Sequence, residues 1–211
     1  MKKISKEEFS ARQQIIENRL SLPISMEYSR AGLFYPVITI LDFLLKGVKN
    51  KRILDIGCGG GDRGNGGNDK QFVTPVLSRA LSGLEADMVG IDICAKPCCY
   101  PYDTFKAYRM PAESVDIYFM EGEFDAVTAI EFWNSPTRLN RYVRLDNKEQ
   151  LRKIYTVLRV GGIYIDGLFR DGMIYKELLN EIGFEDLASC FDIDNISLNG
   201  RDSLYSIRRK V

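Results

Sequence analysis

Residues 52–61 read RILDIGCGGG, a short apolar run that passes straight into a glycine cluster. The pattern is a buried strand leading to Asp55-x-Gly57-x-Gly59-x-Gly61. Glycine lets the chain turn sharply and lets a flat ligand lie against the backbone, where any β-carbon would obstruct it. A dinucleotide frame can be found at Gly59, Gly61 and Gly64, but it starts two residues after the natural first glycine of the turn. The frame that begins at Gly57 ends on Asp62, a carboxylate placed where a pyrophosphate would meet a helix N-terminus, so the nicotinamide reading is disfavoured. A phosphate-binding P-loop is not supported, because no lysine followed by serine or threonine closes the loop. A glycine turn with a purely structural role is the remaining alternative.

Outward from this stretch, short apolar runs alternate with helix-like segments: RILDI, FVTPVLSRALSGL, DMVGIDI, FDAVTAI, KEQLRKIYTVL and GGIYIDGLF. Such alternation predicts crossover units around a mostly parallel sheet. DMVGIDI brings Asp92 to a predicted strand end, where a carboxylate offers two acceptor oxygens to neighbouring ribose hydroxyls. Asp92 follows Asp55 by 37 residues, against about 20 for the usual unit. The excess is assigned to the glycine-rich DRGNGGNDK at 62–70 plus a long first crossover helix, with the insertion expected to close over the bound molecules. Near the end, YKELLNEIG predicts a helix stopped by Gly183, and ASCFDI and DSLYSIRRK, flanking Asn199 and Gly200, predict an antiparallel hairpin.

Three regions, in order, resemble the class I, Rossmann-like S-adenosylmethionine-dependent methyltransferases over positions 52–167. They are the Asp55 glycine loop, GEFDAVTAIEFWNSP at 122–136, and KEQLRKIYTVLRVGGIYIDG, in which Val160 stands where the family usually has proline. The resemblance implies a mostly parallel seven-stranded sheet with helices on both faces and S-adenosylmethionine as cofactor. It implies cofactor contacts from Asp55, Gly57, Cys58, Gly59 and Gly61, from Asp92 and Ile93, and from Ala129 and Ile130. It also implies an acid toward the adenine, for which Glu113, Asp116 and Glu121 are all open. Glu131, at the end of the fourth core strand, is the candidate catalytic proton acceptor or, alternatively, a hydrogen-bond acceptor toward cofactor or substrate. With no histidine in the chain, a base must be a carboxylate, tyrosine, cysteine or lysine.

At 211 residues one domain is expected, with residues 1–50 as an N-terminal helical cap and 51–211 as the core. Lys6 to Leu20 carries apolar residues at Phe9, Ile15, Ile16 and Leu20, a one-face helical pattern. The apolar stretch LFYPVITILDFLL at 33–45 contains Asp42 and falls short of the roughly 20 residues that span a bilayer, so it reads as a buried helix interrupted by Pro36. Tyr28, Arg30, Phe34 and Tyr35 suit either a lid over a small organic acceptor or simple packing on the sheet.

Lysine plus arginine and aspartate plus glutamate both number 29, so no positive field favours nucleic acid or an anionic membrane. The expected acceptor is a small molecule, with protein or nucleic acid, or a non-catalytic binding subunit, as alternatives. No secretory signal is expected at the N-terminus, and five cysteines do not make an even disulfide framework, which points to reduced thiols in the cytoplasm. Cys94-x-x-x-Cys98-Cys99 lacks the fourth ligand and the histidine of a usual zinc site, so no metal is expected. The acceptor and the oligomeric state are not indicated.

Overall fold

The computed structural model describes residues 3–20, 28–58, 62–63, 71–72, 76–92, 105–130, 147–167, 172–191 and 205–211. In chain order the elements are α1 (Lys6–Leu20), α2 (Tyr28–Leu45), β1 (Arg52–Ile56), β2 (Asp62–Arg63), β3 (Gln71–Phe72), α3 (Val76–Gly83), β4 (Asp87–Asp92) and β5 (Phe105–Arg109). There follow α4 (Val115–Tyr118), β6 (Phe124–Ile130), α5 (Asn147–Val157), β7 (Leu158–Gly167), α6 (Gly172–Ile182), β8 (Phe184–Asp186) and β9 (Tyr205–Lys210).

Among the described residues, seven strands form one sheet in the order β5-β4-β1-β6-β7-β9-β8. The five strands from β5 to β7 pair in parallel, and β9 runs antiparallel to both β7 and β8. The chain reverses direction in strand order at β1, with β4 on one side and β6 on the other, which is where an open parallel sheet leaves a crevice at its carboxyl end.

Central strands buried on both faces feed two cores by their alternation. Ile53, Met88, Ala126, Ile163 and Ile165 meet α1, α2 and α3 on one face; Leu54, Val89, Ile91, Val127 and Tyr164 meet α4, α5 and α6 on the other. Residues of the N-terminal segment contribute to the first of these cores. Val37, Ile38, Ile40 and Leu41 of α2 are wholly buried, and Ile4 and Phe9 join the same cluster, with Ile4 N–H donating to the Cys190 carbonyl at 2.9 Å. Phe34 and Tyr35 pack against this cluster, which favours the packing role for those two aromatics. The side chains of Tyr28 and Arg30 lie outside the described residues. Of the expected apolar face of α1, Phe9 and Ile16 are buried but Ile15 is 60% exposed.

Pro36 does not end α2. An interior proline costs about 3 kcal/mol, whereas four buried aliphatic side chains contribute about 1.5–3 kcal/mol each, so packing wins. α3 is only eight residues long, so the excess spacing between Asp55 and Asp92 is not in a long helix. It falls before α3, where Asp62–Arg63 pairs antiparallel with Gln71–Phe72; residues 64–70, and with them the expected closure, lie outside the described residues. Gly161 and Gly162 sit in a register shift of β7, which pairs Leu158 with Phe124 and resumes at Ile163 with Ala126. At the C-terminus the antiparallel pair is present, but its first strand is Phe184–Asp186; Ala188–Cys190, inside the expected ASCFDI strand, is a 3-10 turn. Proximity decided this, since Phe184 follows α6 directly and reaches the free edge of β9.

The amino end of the sheet is fastened by charge. The Arg52 guanidinium pairs with Asp87 at 2.5 Å and Glu123 at 2.6 Å, while its backbone N–H donates to Asp125 Oδ2 at 2.8 Å. Arg159 pairs with Asp125 Oδ1 at 2.5 Å. Three strands and the start of a fourth are thereby joined through two arginines and three acids.

Candidate functional site

The carboxyl end of β1 is built from a row of three residues. Strand register sets Asp55 beside Gly90 of β4 on one side and Thr128 of β6 on the other, all on the face covered by α3. The Asp55 side chain is 4% exposed. Its Oδ2 accepts from the Ser78 hydroxyl at 2.7 Å and its Oδ1 from the Thr128 hydroxyl at 2.9 Å. Burial pushes the Asp55 carboxyl up to about 6; the two hydroxyl bonds oppose that rise, and the charge of Asp92 adds to it.

Beyond β1 the chain turns at Gly57, whose φ of 74° suits glycine. The N–H groups of Gly57 and Cys58 both donate to the Ile91 carbonyl, at 2.8 and 3.1 Å. The loop is thus tied to the residue before Asp92, and Asp92 itself, half-buried, ends β4 opposite Arg109. The side chain of Cys58 turns inward, 7% exposed. A β-carbon on Gly90 would come within 2.8 Å of Cys58 Sγ, so the missing side chain of one residue makes room for the thiol of the other. Burial, then the charges of Asp55 and Asp92, push that thiol up and keep it protonated. Cys58 can therefore offer a ligand its backbone, while its side chain anchors the loop.

Ala129 and Ile130 stand at the carboxyl end of β6, with Ala129 wholly buried in one core and Ile130 7% exposed in the other. Gly59, Gly61, Ile93 and Glu131 lie outside the described residues, as do Cys94, Cys98 and Cys99. Among the described residues no group of His, Cys, Asp or Glu is arranged to hold a metal ion, and no helix is long and apolar enough to cross a membrane.

The three acids left open for the adenine separate clearly. Glu121 is exposed and lies three residues before β6 begins, at the amino end of the sheet and away from the glycine loop. Asp116 is held by Lys153 at 3.2 Å. Glu113, in the 3-10 turn just after β5, is nearest in chain to the carboxyl end, where Met110 N–H donates to the Asp92 carbonyl.

Sequence reading missed Ser78, Gly90 and Thr128. Two signals were available: a glycine inside a strand pattern, which marks a close approach, and a threonine set between apolar residues in FDAVTAI. Gln150 lies in the first turn of α5, 1% exposed, and its Nε2 has no hydrogen-bond partner among the described residues.

No family model and no curated protein sequence matches this chain. Solved structures do match. The Burkholderia thailandensis 1,6-didemethyltoxoflavin-N1-methyltransferase, with bound 1,6-didemethyltoxoflavin and S-adenosylhomocysteine, aligns over 97% of this chain and 90% of its own, with TM-score 0.58 and 16% identity. The magnesium protoporphyrin IX methyltransferase of Synechocystis PCC 6803, with bound S-adenosylmethionine, aligns over 96% and 91%, with TM-score 0.57 and 14% identity. A TehB-like methyltransferase of Corynebacterium glutamicum aligns over 97% and 99%, with TM-score 0.52 and 15% identity. The chain has the fold of the S-adenosylmethionine-dependent methyltransferases.

Proposed function

We propose that the chain is an S-adenosylmethionine-dependent methyltransferase whose acceptor is a small molecule. The observation that carries this reading is the carboxyl end of β1 and β4, where the Gly57–Cys58 backbone is bonded onto Ile91 between two neighbouring carboxylates, Asp55 and Asp92. Two neighbouring acids at the carboxyl end of the sheet suit a ligand that brings positive charge and hydroxyl donors. S-adenosylmethionine, with its ammonium, sulfonium and ribose, has both and supplies an electrophilic methyl group.

The chain's residues then divide the work. Asp92 accepts from ribose hydroxyls, the loop from Gly57 through Gly61 gives the ligand open backbone, Ile93, Ala129 and Ile130 flank it, and Glu113 faces the adenine. Direct displacement mainly requires that the acceptor be held in line and water kept out. Glu131 takes the proton where the acceptor has one to lose. If Glu131→Gln left the rate unchanged across pH, Glu131 would not be that base.

Balanced charge supports a small acceptor over nucleic acid. So do the bound or named substrates of the toxoflavin and protoporphyrin enzymes. The odd cysteine count supports a reducing, cytoplasmic setting. The test is to incubate the protein with methyl-labelled S-adenosylmethionine and fractionated cell extract. Label is expected in the small-molecule fraction. Label only in protein or nucleic acid would overturn the acceptor class, and cofactor binding with no labelling anywhere would make the chain a non-catalytic binding subunit.

A further inference from the structure

The Asp55 carboxylate is held in an unusual way for a buried acid. Among the described residues, the buried carboxylates Glu123 and Asp125 at the other end of the same sheet meet guanidiniums, but the hydrogen-bond partners of Asp55 are two hydroxyls, one on each oxygen, from α3 and from β6. The charge that faces it comes from Asp92 on β4 and is of the same sign, and the Cys58 thiol beside it is protonated. Gly90 completes the arrangement: a β-carbon there would meet Cys58 Sγ at 2.8 Å, so its absence makes room for the thiol, while Ser78 Oγ at 3.6 Å would be in ordinary contact.

We infer that Ser78 and Thr128 are positioning residues of the cofactor site, whose hydroxyls hold Asp55 ionised and in one orientation to receive a cationic ligand. The inference rests on the methyltransferase reading. Its logic is that of donor count. An ionised carboxylate accepts on both oxygens, so two donors favour it, whereas a protonated carboxyl must turn one oxygen into a donor and lose or reverse one of these bonds. Burial and Asp92 favour the protonated form, and the hydroxyl pair opposes them. Removing either hydroxyl tips the balance, so that the acid meets a cationic ligand as a neutral group at a higher pH than before.

A merely structural bond between α3 and the sheet would change melting but not the pH dependence of ligand binding. The experiment is therefore a calorimetric titration of the full chain with S-adenosylmethionine between about pH 5 and pH 8, a range that brackets the Asp55 midpoint. It is run on the wild type, Ser78→Ala, Thr128→Val and Thr128→Ser, with a melting curve for each. Carbon NMR of the Asp55 carboxyl in the ligand-free protein gives its midpoint directly.

In the wild type, affinity is expected to fall on the acid side around the Asp55 midpoint of about 6. In Ser78→Ala and Thr128→Val both the midpoint and the acid limb move up by about one pH unit, a loss of affinity of up to about tenfold on the limb. Thr128→Ser, which keeps the hydroxyl, retains the wild-type profile. Folded variants that bind with the wild-type affinity and pH profile would overturn the inference alone. If Thr128→Val fails to fold, Ser78→Ala decides in its place. A wild type that binds no S-adenosylmethionine at any pH would overturn the methyltransferase reading and this inference with it.

Discussion

The two ends of the central sheet handle buried acid in opposite ways. At the amino end Glu123 and Asp125 are matched by Arg52 and Arg159, and the exposed Asp87 pairs with Arg52 as well. At the carboxyl end Asp55 has hydroxyls for partners and a second carboxylate, Asp92, for company, and burial raises it to about 6. The first arrangement is complete in itself and holds strands together. The second carries electrostatic cost that a cationic ligand would relieve, and it lies where the strand order reverses and the glycine loop begins. The stabilising ion pairs and the proposed ligand site thus lie at opposite ends of one sheet, about three to five residues apart along each strand.

Substitutions that separate these roles sharpen the contrast. The largest effect on folding is expected at Arg52→Ala, which strands Glu123 and Asp87. A fully buried pair broken on one side costs about 3–5 kcal/mol; Arg52 is about one-third exposed, so about 2–3 kcal/mol is expected. Urea unfolding measures it, and affinity for S-adenosylmethionine should not change. Gly90→Ala comes next, at about 2 kcal/mol from overpacking against Cys58, with weakened cofactor binding because the loop must shift. Cys58→Ala in the same chain should recover most of both losses; a double variant as damaged as the single one would remove the steric account.

Asp55→Asn is the smallest in energy and opposite in sign. An acid whose folded-state value is raised binds more protons folded than unfolded, so its contribution to stability is lost as pH rises from the unfolded value near 3.8 through about 6. At neutral pH the neutral amide escapes this cost, and Asp55→Asn should stabilise the fold by about 1–2 kcal/mol, seen as a melting temperature about 2–6 °C higher at pH 7. The gain should vanish near pH 4, while cofactor affinity drops. A melting temperature that falls at pH 7 would show that the acid end is structural after all.

Much of this arrangement was legible in the residues. RILDI, DMVGID and FDAVTAI read as buried strands from their mostly apolar residues, and Asp55 and Asp92 fall next to or at the carboxyl ends of β1 and β4. What was not legible depends on which strands become neighbours. Nothing local says that Thr128 will lie beside Asp55, 73 residues earlier, or that Gly90 will leave the space that Cys58 fills. Pro36 misled for a related reason, since its local penalty is real but smaller than the burial of Val37 to Leu41. The C-terminal pairing was foreseen in kind but misplaced, because the partner of β9 was set by where α6 delivers the chain and not by the apolar content of ASCFDI.

The central claim is that the acid pair at the ends of β1 and β4 holds a cationic methyl donor. Isothermal calorimetry of the wild type and of Asp92→Ala with S-adenosylmethionine, and with S-adenosylhomocysteine, which lacks the sulfonium charge, tests it most directly. The account predicts that the wild type binds both, that raising the pH from about 5.5 to about 7.5, across the Asp55 midpoint, strengthens binding of the charged cofactor more than of the neutral one, and that Asp92→Ala loses both. Binding of neither by a folded wild type, or undiminished binding by Asp92→Ala, would contradict it.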